Sequence, residues 1–595
     1  MPTQQLVDNA VNMRIVEERF FTTGDGIRLF YRYWPAVNGP TVGAVVLFHR
    51  GHEHSGRLRH VVDELDLPGF AMFAWDAYGH GRSTNERSTN PTLGTLVKDV
   101  DEFVHHISGA FGIAMEDIAV VGQSVGSVLV ATWVHDYAPP IRCMSLASPA
   151  FKVKLYVPFA RPTLKLAHGL IGNFQVKSYV KARALTHDPE RIASFESDPL
   201  IRRPIQVNVL LALYSTADRV IADAQAIQTP TQLLISGADY VVHLKPQHEF
   251  FERLGSKVKE KHIFDGFYHD TLGEKDRRLP IGKLRDFLLR RFAEPSLTAS
   301  LLDAHKTGYT KDEFDALSRP LPSASLKALS FAMTKFGMKT GGRLSSGIRL
   351  ALETGFDSGS TLDYVYRNTA TGATPLGKLI DWFYLNSIGW RGIRVRKQNI
   401  ERLLSQSIAA LRASGQPVRI VDIAAGHGRY VLEALESQVA KADQVLLRDY
   451  SEINVRQGAA LIRQKRMEEN ARFEKGDAFN GKSLAEIRPQ PTLGVVSGLY
   501  ELFPDNGMVR ESLAGLAAAI EPGGYLVYTG QPWHPQLEMI ARTLSSHRDH
   551  EPWIMRRRTQ AEMDQLVKAA GFRKIEQLTD DWGIFTVSLA QRVAT

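Results

Sequence analysis

The feature that most constrains the fold of this chain is a serine between two glycines, directly after a segment rich in β-branched residues. Residues 118–123 suit a buried strand, Ser124 follows between Gly122 and Gly126, and residues 128–133 have the composition of a helix. A sharp turn from strand to helix would expose the Ser124 hydroxyl, and it needs flanking residues without side chains because the two elements approach closely there. The pattern recurs by chance, so it indicates a nucleophile only when an acid and then a histidine follow it.

The length and composition of the chain are those of a globular protein with more than one domain. At 595 residues it exceeds what one hydrophobic core usually covers. Its 44% hydrophobic and 23% charged residues are ordinary, and the net charge of +8 permits contact with anionic lipid or nucleic acid without requiring either. The single cysteine, Cys143, excludes an intramolecular disulfide, a cysteine-rich zinc site and an iron–sulfur cluster, and we predict no metal site.

Neither export nor membrane insertion is indicated by the sequence. Residues 1–14 have no basic region followed by an apolar core, so no secretory signal is predicted. No apolar run approaches the roughly 18 residues that a membrane-spanning helix needs, so we expect no integral membrane segment. Together with the lone cysteine, these observations predict a cytoplasmic protein and leave open a peripheral contact with a membrane surface.

The order of the predicted elements in the first half of the chain indicates an α/β fold. The predicted strands are residues 42–49, 70–76, 118–123, 142–147, 231–236 and 261–264, and the predicted helices are residues 95–111 and 282–292. Such alternation implies a mainly parallel sheet that is covered by helices on both faces.

Two loops and one later segment resemble a known family. Residues 49–57 (His-Arg-Gly-His-Glu-His-Ser-Gly-Arg) and 76–83 (Asp-Ala-Tyr-Gly-His-Gly-Arg-Ser) each follow a predicted strand, and residues 184–200 lie further along the chain. All three resemble the monoacylglycerol lipase, lysophospholipase and serine-aminopeptidase-like branch of the α/β-hydrolases. The resemblance covers residues 1–295, and it implies a serine hydrolase that cleaves an acyl ester of a lipid-like substrate.

The remaining catalytic residues can be placed by their order along the chain. Asp239 follows a predicted strand and His269 follows the last one, so both come after Ser124 in the order that this fold requires. His269 is expected to take the proton of Ser124, and Asp239 to hold the imidazole in the correct tautomer. Asp265 and Asp270 are weaker candidates for the acid, because neither follows the strand that should carry it. The alternative of ordinary surface residues beside an accidental motif is disfavoured by the ordered triad and the two loops.

Two backbone amides are expected to form the oxyanion hole. They belong to Val125, directly after the nucleophile, and to Gly51 in the loop after the first predicted strand. The family usually carries His-Gly where this chain has His49-Arg50. The arginine is therefore expected to alter access to the site or to favour an anionic substrate.

A long insertion between two predicted strands should cover Ser124. It spans residues 150–228 approximately, far more than an ordinary connection, and is expected to form a helical cap. Its first part, residues 151–166, mixes apolar and basic residues without acids. That composition suits a lipid-like substrate or a membrane surface. A helix that packs its apolar side on the core and solvates its lysines fits equally well.

The second half of the chain is predicted to form a separate domain. Residues 296–322 show little regular pattern and are predicted to be a linker, residues 323–399 are mostly helical, and residues 400–595 form a second core. The aromatic and basic stretch at 382–396 could line a substrate pocket or pack the helical segment onto the next sheet.

A turn with two glycines begins the second core. Residues 418–432 are typical of a strand, a turn and the start of a helix, with Asp422 at the end of the strand and Gly426 and Gly428 in the turn. Small residues there let the backbone approach a bound nucleotide. Alone, this pattern fits a Rossmann dehydrogenase, a methyltransferase that uses S-adenosylmethionine, or a tight turn that binds nothing.

The acids that follow favour the methyltransferase. Asp449 ends the next predicted strand and suits ribose hydroxyls, and Asp477 with Ala478 follows the third strand and suits the adenine edge. The whole series resembles a class I methyltransferase dependent on S-adenosylmethionine, which implies a Rossmann-like fold and that cofactor. One departure is Ala424, where the family usually has its first glycine. A scaffold without nucleotide is the alternative.

A small molecule or a lipid is the expected methyl acceptor. The loop at 497–501 lacks the signature of adenine-amino methyltransferases, and no basic cluster interleaved with aromatic residues indicates nucleic acid. Tyr500, Glu501 and His534 are candidates for the acceptor side, each with an equally good interpretation as a packing or solvated residue.

The sequence as a whole predicts a bifunctional enzyme, a capped serine hydrolase joined to a methyltransferase. Two alternatives stay open. One domain could be inactive and serve as a binding or regulatory module, or the first half could cleave peptides or amides instead of esters.

Overall fold

The computed structural model describes residues 14–37, 39–83, 87, 91–156, 159–178, 180–296, 299–323, 325–436 and 442–593. It divides into two compact units, Met1–Ala299 and Ser300–Thr595. No helix among these described residues is long and apolar enough to cross a membrane.

The N-terminal unit is built on an eight-stranded sheet. Its strands are β1 (Glu17–Thr22), β2 (Arg28–Trp34), β3 (Gly43–Phe48), β4 (Phe70–Trp75), β5 (Ile118–Gln123), β6 (Cys143–Ala147), β7 (Gln175–Lys177), β8 (Pro204–Gln206), β9 (Thr231–Ser236) and β10 (Lys259–Phe264). The order in the sheet is β1-β2-β4-β3-β5-β6-β9-β10, and β7 pairs with β8 in a separate ribbon. From β4 to β10 all neighbours are parallel, which confirms the predicted α/β fold.

Helices cover both faces of this sheet. They are α1 (Arg59–Leu65), α2 (Leu93–Phe111), α3 (Val125–Tyr137), α4 (Ala160–Ile171), α5 (Pro189–Ser197), α6 (Val207–Ala222), α7 (Leu244–Arg253) and α8 (Arg278–Ala293). Successive residues of β3 point to opposite faces, so Val46 and Phe48 pack in one apolar cluster while Val45 and Leu47 pack in another. All six residues of β3 are buried, as expected of a strand between two helical layers.

The insertion between β6 and β9 contains α4, β7, α5, β8 and α6 in that order. These elements correspond to the predicted cap. Two of its helices differ in burial, because α4 has no buried residue while α6 buries eight, including Leu213 and Tyr214. The cap is therefore attached to the unit mainly through α6, and α4 lies on its outside.

The C-terminal unit contains a seven-stranded sheet. Its strands are β11 (Arg419–Asp422), β12 (Gln444–Asp449), β13 (Ala471–Lys475), β14 (Leu493–Val496), β15 (Tyr525–Gly530), β16 (Phe572–Thr579) and β17 (Thr586–Arg592). The order is β13-β12-β11-β14-β15-β17-β16. Neighbours from β13 to β15 are parallel, and β17 runs antiparallel to both β15 and β16. Successive strands extend to one side of β11 as β12 and β13, and then to its other side as β14 and β15. This is the doubly wound arrangement, and it confirms a Rossmann-like fold.

Helices of the C-terminal unit precede and surround this sheet. They are α9 (Tyr309–Ser318), α10 (Leu326–Lys339), α11 (Ser346–Thr354), α12 (Gly359–Arg367), α13 (Pro375–Leu385), α14 (Ile388–Ala413), α15 (Arg429–Glu436), α16 (Glu452–Gln464), α17 (Gly481–Ala485), α18 (Asn506–Ala519), α19 (Leu537–Thr543) and α20 (Gln560–Ala569).

Two predicted boundaries in this half differ from the structure. The predicted linker at 296–322 contains the helix α9, which buries only Thr310 and Leu317 and so gives a weak apolar pattern. The predicted division between residues 399 and 400 falls inside α14, which runs unbroken over 26 residues. No proline interrupts α14, and its buried side chains recur at helical spacing on both sides of that point.

Candidate functional sites

Ser124 lies in the sharp turn between β5 and α3. Its backbone angles are φ 54° and ψ −113°, which residues other than glycine rarely adopt. A Cβ atom on Gly122 would lie 2.7 Å from Ser127 Cα, and one on Gly126 would lie 2.6 Å from the Phe48 carbonyl oxygen. Both glycines are therefore required by close backbone approach, as the motif predicts.

The structure brings the three predicted catalytic side chains together. The Ser124 hydroxyl is 2.7 Å from His269 Nε2, and Nδ1 of the same imidazole is 2.8 Å from Asp239 Oδ2. The second oxygen of Asp239 accepts hydrogen bonds from the amides of Val241 and Val242 at 2.7 and 2.9 Å. Burial by itself would raise the pKa of Asp239, but His269 and these amides outweigh it, so the pKa is lowered. Asp239 is thus an ionised acceptor for the Nδ1 proton.

The loop with Gly51 packs closely against the residue that begins α3. A Cβ atom on Gly51 would lie 3.3 Å from Val125 Cγ2, closer than an ordinary contact. Within the described residues, neither the Gly51 nor the Val125 amide N–H donates a hydrogen bond. Two free amides beside a serine hydroxyl could stabilise the negative oxygen of a tetrahedral intermediate.

His49 holds the loop that carries Gly51. Its Nδ1–H donates to the Arg50 carbonyl oxygen at 2.7 Å, and its Nε2 accepts from the Ala77 amide at 3.0 Å. Burial lowers the pKa of His49, so the ring is neutral, as this pair of hydrogen bonds requires. A neutral imidazole therefore fixes the loop next to the nucleophile.

Arg50 lines the cavity beside Ser124, and its charge is paired with carboxylates inside the protein. The guanidinium is buried, 2.8 Å from Glu53 and 3.6 Å from Asp270. Asp270 also accepts from Gln123 Nε2 at 2.7 Å and pairs with Arg191 at 2.9 Å. The arginine is thus neutralised inside the protein and contributes to a buried network.

Asp239 is the carboxylate that contacts His269, and the two weaker candidates lie elsewhere. Asp265 is exposed, and Asp270 faces the arginines. The network around Asp270 was missed because its members, Arg50 and Arg191, lie far apart in the sequence. The only available signal was the unusual arginine at position 50.

A cavity of about 140 Å³ lies beside Ser124 and His269. Six apolar side chains from the cap line it together with Lys177 and Ser178: Val176, Val180, Ile205, Leu210, Leu213 and Tyr214. The cavity is suited to an apolar chain whose reacting end reaches the serine.

In the C-terminal unit, the glycine turn lies directly after β11. Gly426 and Gly428 have positive φ angles of 57° and 75°. A Cβ atom on Gly428 would lie 2.3 Å from Leu447 Cδ1, whereas one on Gly426 would meet only Gly359 Cα at 3.5 Å. The turn therefore packs against β12 at Gly428, whereas Gly426 has room beside it.

Asp449 is held against this turn at the end of β12. One carboxylate oxygen accepts from the Gly426 amide at 2.9 Å, and the other accepts from the Ser451 amide and from Asn454 Nδ2 at 2.9 and 3.0 Å. Ser451, not Asp449, caps α16. Asp477 and Ala478 follow the adjacent strand β13, with Asp477 exposed and Ala478 buried. The predicted cofactor residues thus follow neighbouring parallel strands.

The residues of this turn fit S-adenosylmethionine. Asp422 is completely buried, and its Oδ2 has no hydrogen-bond partner among the described residues. Burial, together with the charge of Asp449, raises the pKa of Asp422 to about 7. The site thus combines an orphaned carboxyl oxygen, an exposed face of a glycine turn and a fixed carboxylate, which are suited to a cationic ligand with ribose hydroxyls.

A second cavity, of about 220 Å³, lies in the same unit. Glu501 and His534 line it, whereas Tyr500 is buried and bonds to Ser512 at 3.0 Å. The aromatic and basic stretch predicted at 382–396 contributes Trp390 to the cavity, together with the side chains of Tyr384, Ile393 and Arg396.

Family comparisons identify both halves. Residues 284–592, just over half of the chain, match the model of the family described as "Putative methyltransferase". Residues 39–276 match the model described as "Serine aminopeptidase". The chain belongs to the first of these families and carries a lipase-like α/β-hydrolase domain before the methyltransferase domain.

Three known proteins illustrate the relationship. "Uncharacterized protein YnbC" of Escherichia coli is 56% identical over 582 residues, 98% of this chain and 99% of that protein. The monoacylglycerol lipase of Mycolicibacterium smegmatis is 26% identical over 284 residues, 46% of this chain and 96% of that protein. The crystal structure of Paleococcus ferrophilus monoacylglycerol lipase covers 47% of this chain and 99% of its own, with 22% identity and a TM-score of 0.39. The two-domain organisation is thus shared with the E. coli protein.

The close approach of the backbone at Gly126 predicts that two glycine substitutions differ in their effect on stability. Gly126→Ala should lower the unfolding temperature, because the added carbon would overlap the Phe48 carbonyl oxygen, at a cost of about 1–3 kcal/mol. Gly109→Ala is the matched control, since a Cβ atom there meets nothing within 4 Å. Scanning calorimetry of the full chain measures both. Equal unfolding temperatures for the two variants would contradict the close packing of β3 on α3.

Proposed function

We propose that the chain is a bifunctional enzyme. Its N-terminal unit hydrolyses an acyl ester of the monoacylglycerol or lysophospholipid type, and its C-terminal unit transfers a methyl group from S-adenosylmethionine to a small molecule or lipid. The observation that carries the proposal is the continuous hydrogen-bonded line from Ser124 through His269 to Asp239. We also propose a cytoplasmic location, which is supported by the buried free thiol of Cys143.

Hydrolysis follows from the positions of these side chains. His269 Nε2 takes the Ser124 proton as the hydroxyl oxygen attacks the ester carbonyl carbon, and the amides of Gly51 and Val125 stabilise the oxyanion. The imidazolium then gives its proton to the departing alcohol. Water, deprotonated by the same nitrogen, releases the acid and restores the serine. Asp239 keeps its negative charge throughout and stabilises the imidazolium.

A lipid-like substrate is supported by the apolar cap. The cap residues that line the cavity beside Ser124 are mostly apolar, and helix α4 exposes Leu166, Leu170 and Ile171 beside the exposed Phe159. Arg161 and Lys165 lie on the same helix, which has no acidic residue. An apolar and basic outer helix suits a peripheral contact with a lipid surface.

For the methyltransferase unit, the cofactor supplies a methyl group on a positively charged sulfur. Asp449 would accept hydrogen bonds from the ribose hydroxyls, and Asp477 with the Ala478 amide would recognise the adenine edge. The open face at Gly426 would let the backbone approach the ligand, and Asp422 would supply a carboxyl near its positive charge.

The hydrolase assignment is tested by replacing its nucleophile and its acid. Ser124→Ala should abolish ester turnover and fluorophosphonate labelling and leave binding of S-adenosylmethionine intact. Asp239→Asn should slow hydrolysis by roughly ten thousandfold through the wrong histidine tautomer. Labelling that survives Ser124→Ala would exclude Ser124 as nucleophile. A panel of acyl esters and aminoacyl amides, compared by kcat/KM, distinguishes an esterase from an amidase.

The cofactor assignment is tested by calorimetric titration with S-adenosylmethionine. Asp449→Ala should weaken binding at least about tenfold, because charge-assisted hydrogen bonds contribute roughly 1.5–3 kcal/mol each. Asp477→Ala should have a smaller effect. Glu452→Ala is the control, an exposed acid at the start of α16. Unchanged affinity in the folded Asp449→Ala variant would rule out its role in binding the ribose.

A further inference from the structure

We propose that the cavity of the C-terminal unit binds an aromatic hydroxyl compound, and that Glu501 accepts the hydroxyl proton during methyl transfer. The inference rests on the proposed methyltransferase function and names the class of its acceptor.

The cavity has the size and lining of a site for an aromatic ring. At about 220 Å³ it exceeds the roughly 150 Å³ of an apolar cavity that binds benzene. Its apolar wall is rich in rings and sulfur atoms: Met338, Phe356, Trp390, Met539, Trp553, Met555 and Phe585. The rings of Trp390 and Trp553 are nearly parallel, with centroids 6.4 Å apart and an interplanar angle of 23°. Rings and thioethers both make favourable contacts with an aromatic ligand.

One end of the cavity carries charge. Glu501 lies there with Arg396, and the carboxylate is 3.6 Å from the nearest guanidinium nitrogen, beyond hydrogen-bonding distance. Arg396 is held in place by the Phe585 ring, whose centroid is 5.0 Å from its Cζ atom. Gly498, which also lines the cavity, lies two residues after the end of β14. Because β14 is the parallel neighbour of β11, this end of the cavity faces the same edge of the sheet as the glycine turn.

A buried donor lines the same cavity as the carboxylate. Gln531 lines the cavity directly after β15, is only 4% exposed, and its Nε2 has no partner among the described residues. An unsatisfied buried donor costs about 1–3 kcal/mol, which a ligand oxygen would offset. A hydroxyl can accept from Gln531 and donate to Glu501 at the same time. A carboxylate ligand could accept but would be repelled by Glu501.

Glu501 is the group that can take the proton. Burial raises the pKa of Glu501, and Arg396 only partly opposes this, so it is a stronger base than an exposed glutamate. His534 is unsuited to this role, because burial lowers its pKa to about 4 and its Nδ1 accepts from the Gln536 amide at 3.0 Å. The remaining nitrogen of the neutral ring carries hydrogen and can only donate.

Methyl transfer exchanges one bond to the methyl carbon for another. The hydroxyl oxygen forms a C–O bond as the C–S bond to the methyl group breaks, and the electron pair of that bond stays on sulfur. The hydroxyl proton passes to Glu501 and later to water. The product is an aryl methyl ether.

Binding of three matched probes tests the inference without turnover. Calorimetry on the full chain with 2-naphthol, 2-naphthoate and naphthalene should rank naphthol tightest. Glu501→Gln should weaken naphthol binding about five- to tenfold and strengthen naphthoate binding, because a charge is lost. Gln531→Leu should weaken naphthol and spare naphthalene. Glu468→Gln, at an exposed site, should change nothing.

Three results would overturn the inference. They are tighter binding of naphthoate than of naphthol, an unchanged ranking in both the Glu501 and Gln531 variants, and no binding of any probe. Titration with S-adenosylmethionine in the same samples shows whether a contrary result concerns the class of acceptor or the methyltransferase function itself. Cofactor binding with a preference for naphthoate would refute the acceptor class alone. Naphthol selectivity without cofactor binding would refute the methyltransferase function and with it the proton transfer.

A different observation supports a second inference, that helix α10 docks on an anionic lipid surface. Leu326, Leu329, Met333 and Phe336 form one stripe of the helix and are 87, 57, 67 and 69% exposed. Lys335 and Lys339 are exposed on the same helix, and residues 319–352 contain six basic residues and no acidic one. Lys327 pairs with Glu538 at 2.6 Å, and the other basic residues keep the segment positively charged. An exposed apolar stripe in a positively charged segment is complementary to an anionic bilayer.

Vesicle cosedimentation tests this surface. The background variant Leu166→Gln/Leu170→Gln removes exposed apolar residues of α4, so that the remaining binding reports on α10. It should bind vesicles of phosphatidylcholine with about one-third phosphatidylglycerol, and bind pure phosphatidylcholine at least about tenfold more weakly. Adding Leu329→Gln/Met333→Gln/Phe336→Gln should abolish binding, whereas adding the control pair Ile575→Gln/Val593→Gln should not.

Either of two outcomes would overturn the docking surface. One is binding that persists after the α10 substitutions. The other is a background variant that binds no vesicle but self-associates through α10. Light scattering would then give a mass above that of one chain, and the α10 substitutions would reduce it to the mass of one chain.

Discussion

The N-terminal site depends on one buried carboxylate, Asp270. It accepts a hydrogen bond from Gln123 in the nucleophile turn and faces Arg50 in the oxyanion loop and Arg191 in the cap. It also follows His269 in sequence. Burial alone would raise the pKa of Asp270, but the two arginines hold it well below its usual range. Removing this charge would take the carboxylate partner from Arg191 and leave the buried Arg50 with Glu53 alone, which is destabilising.

Both units gather their functional residues at the carboxyl ends of parallel strands, and they stabilise these ends differently. In the N-terminal unit, ion pairs among side chains connect the loops. In the C-terminal unit, the backbone of the glycine turn connects the ends of β11 and β12, because the Gly426 amide donates directly to Asp449. A fully paired network of side chains rigidifies the loops around Ser124, whereas a turn bound through its backbone leaves room for a ligand to approach closely.

The sequence predicts the parts of this protein that rest on local rules. The nucleophile turn follows from two glycines, and Asp239 and His269 follow from their order after predicted strands. The Asp270 network could not be predicted, because Arg191 comes from a cap helix far along the chain. The helix α9 was missed because it buries few side chains, and the boundary at 399 was wrong because no breaker residue divides α14. Burial of Glu501 beside Arg396 is likewise a tertiary property that the sequence does not encode locally.

The Arg191–Asp270 pair has a mechanical consequence for the cap. Helix α5 carries Arg191, so this part of the cap is tied to Asp270, the residue next to His269. A rigid-body swing of the whole cap would separate the pair and expose both charges. Helix α4, with no buried residue, is joined to α6 by the exposed pair of Arg161 and Asp218. A displacement of α4 alone would leave the Arg191–Asp270 pair intact, so it costs less free energy than a movement of the whole cap.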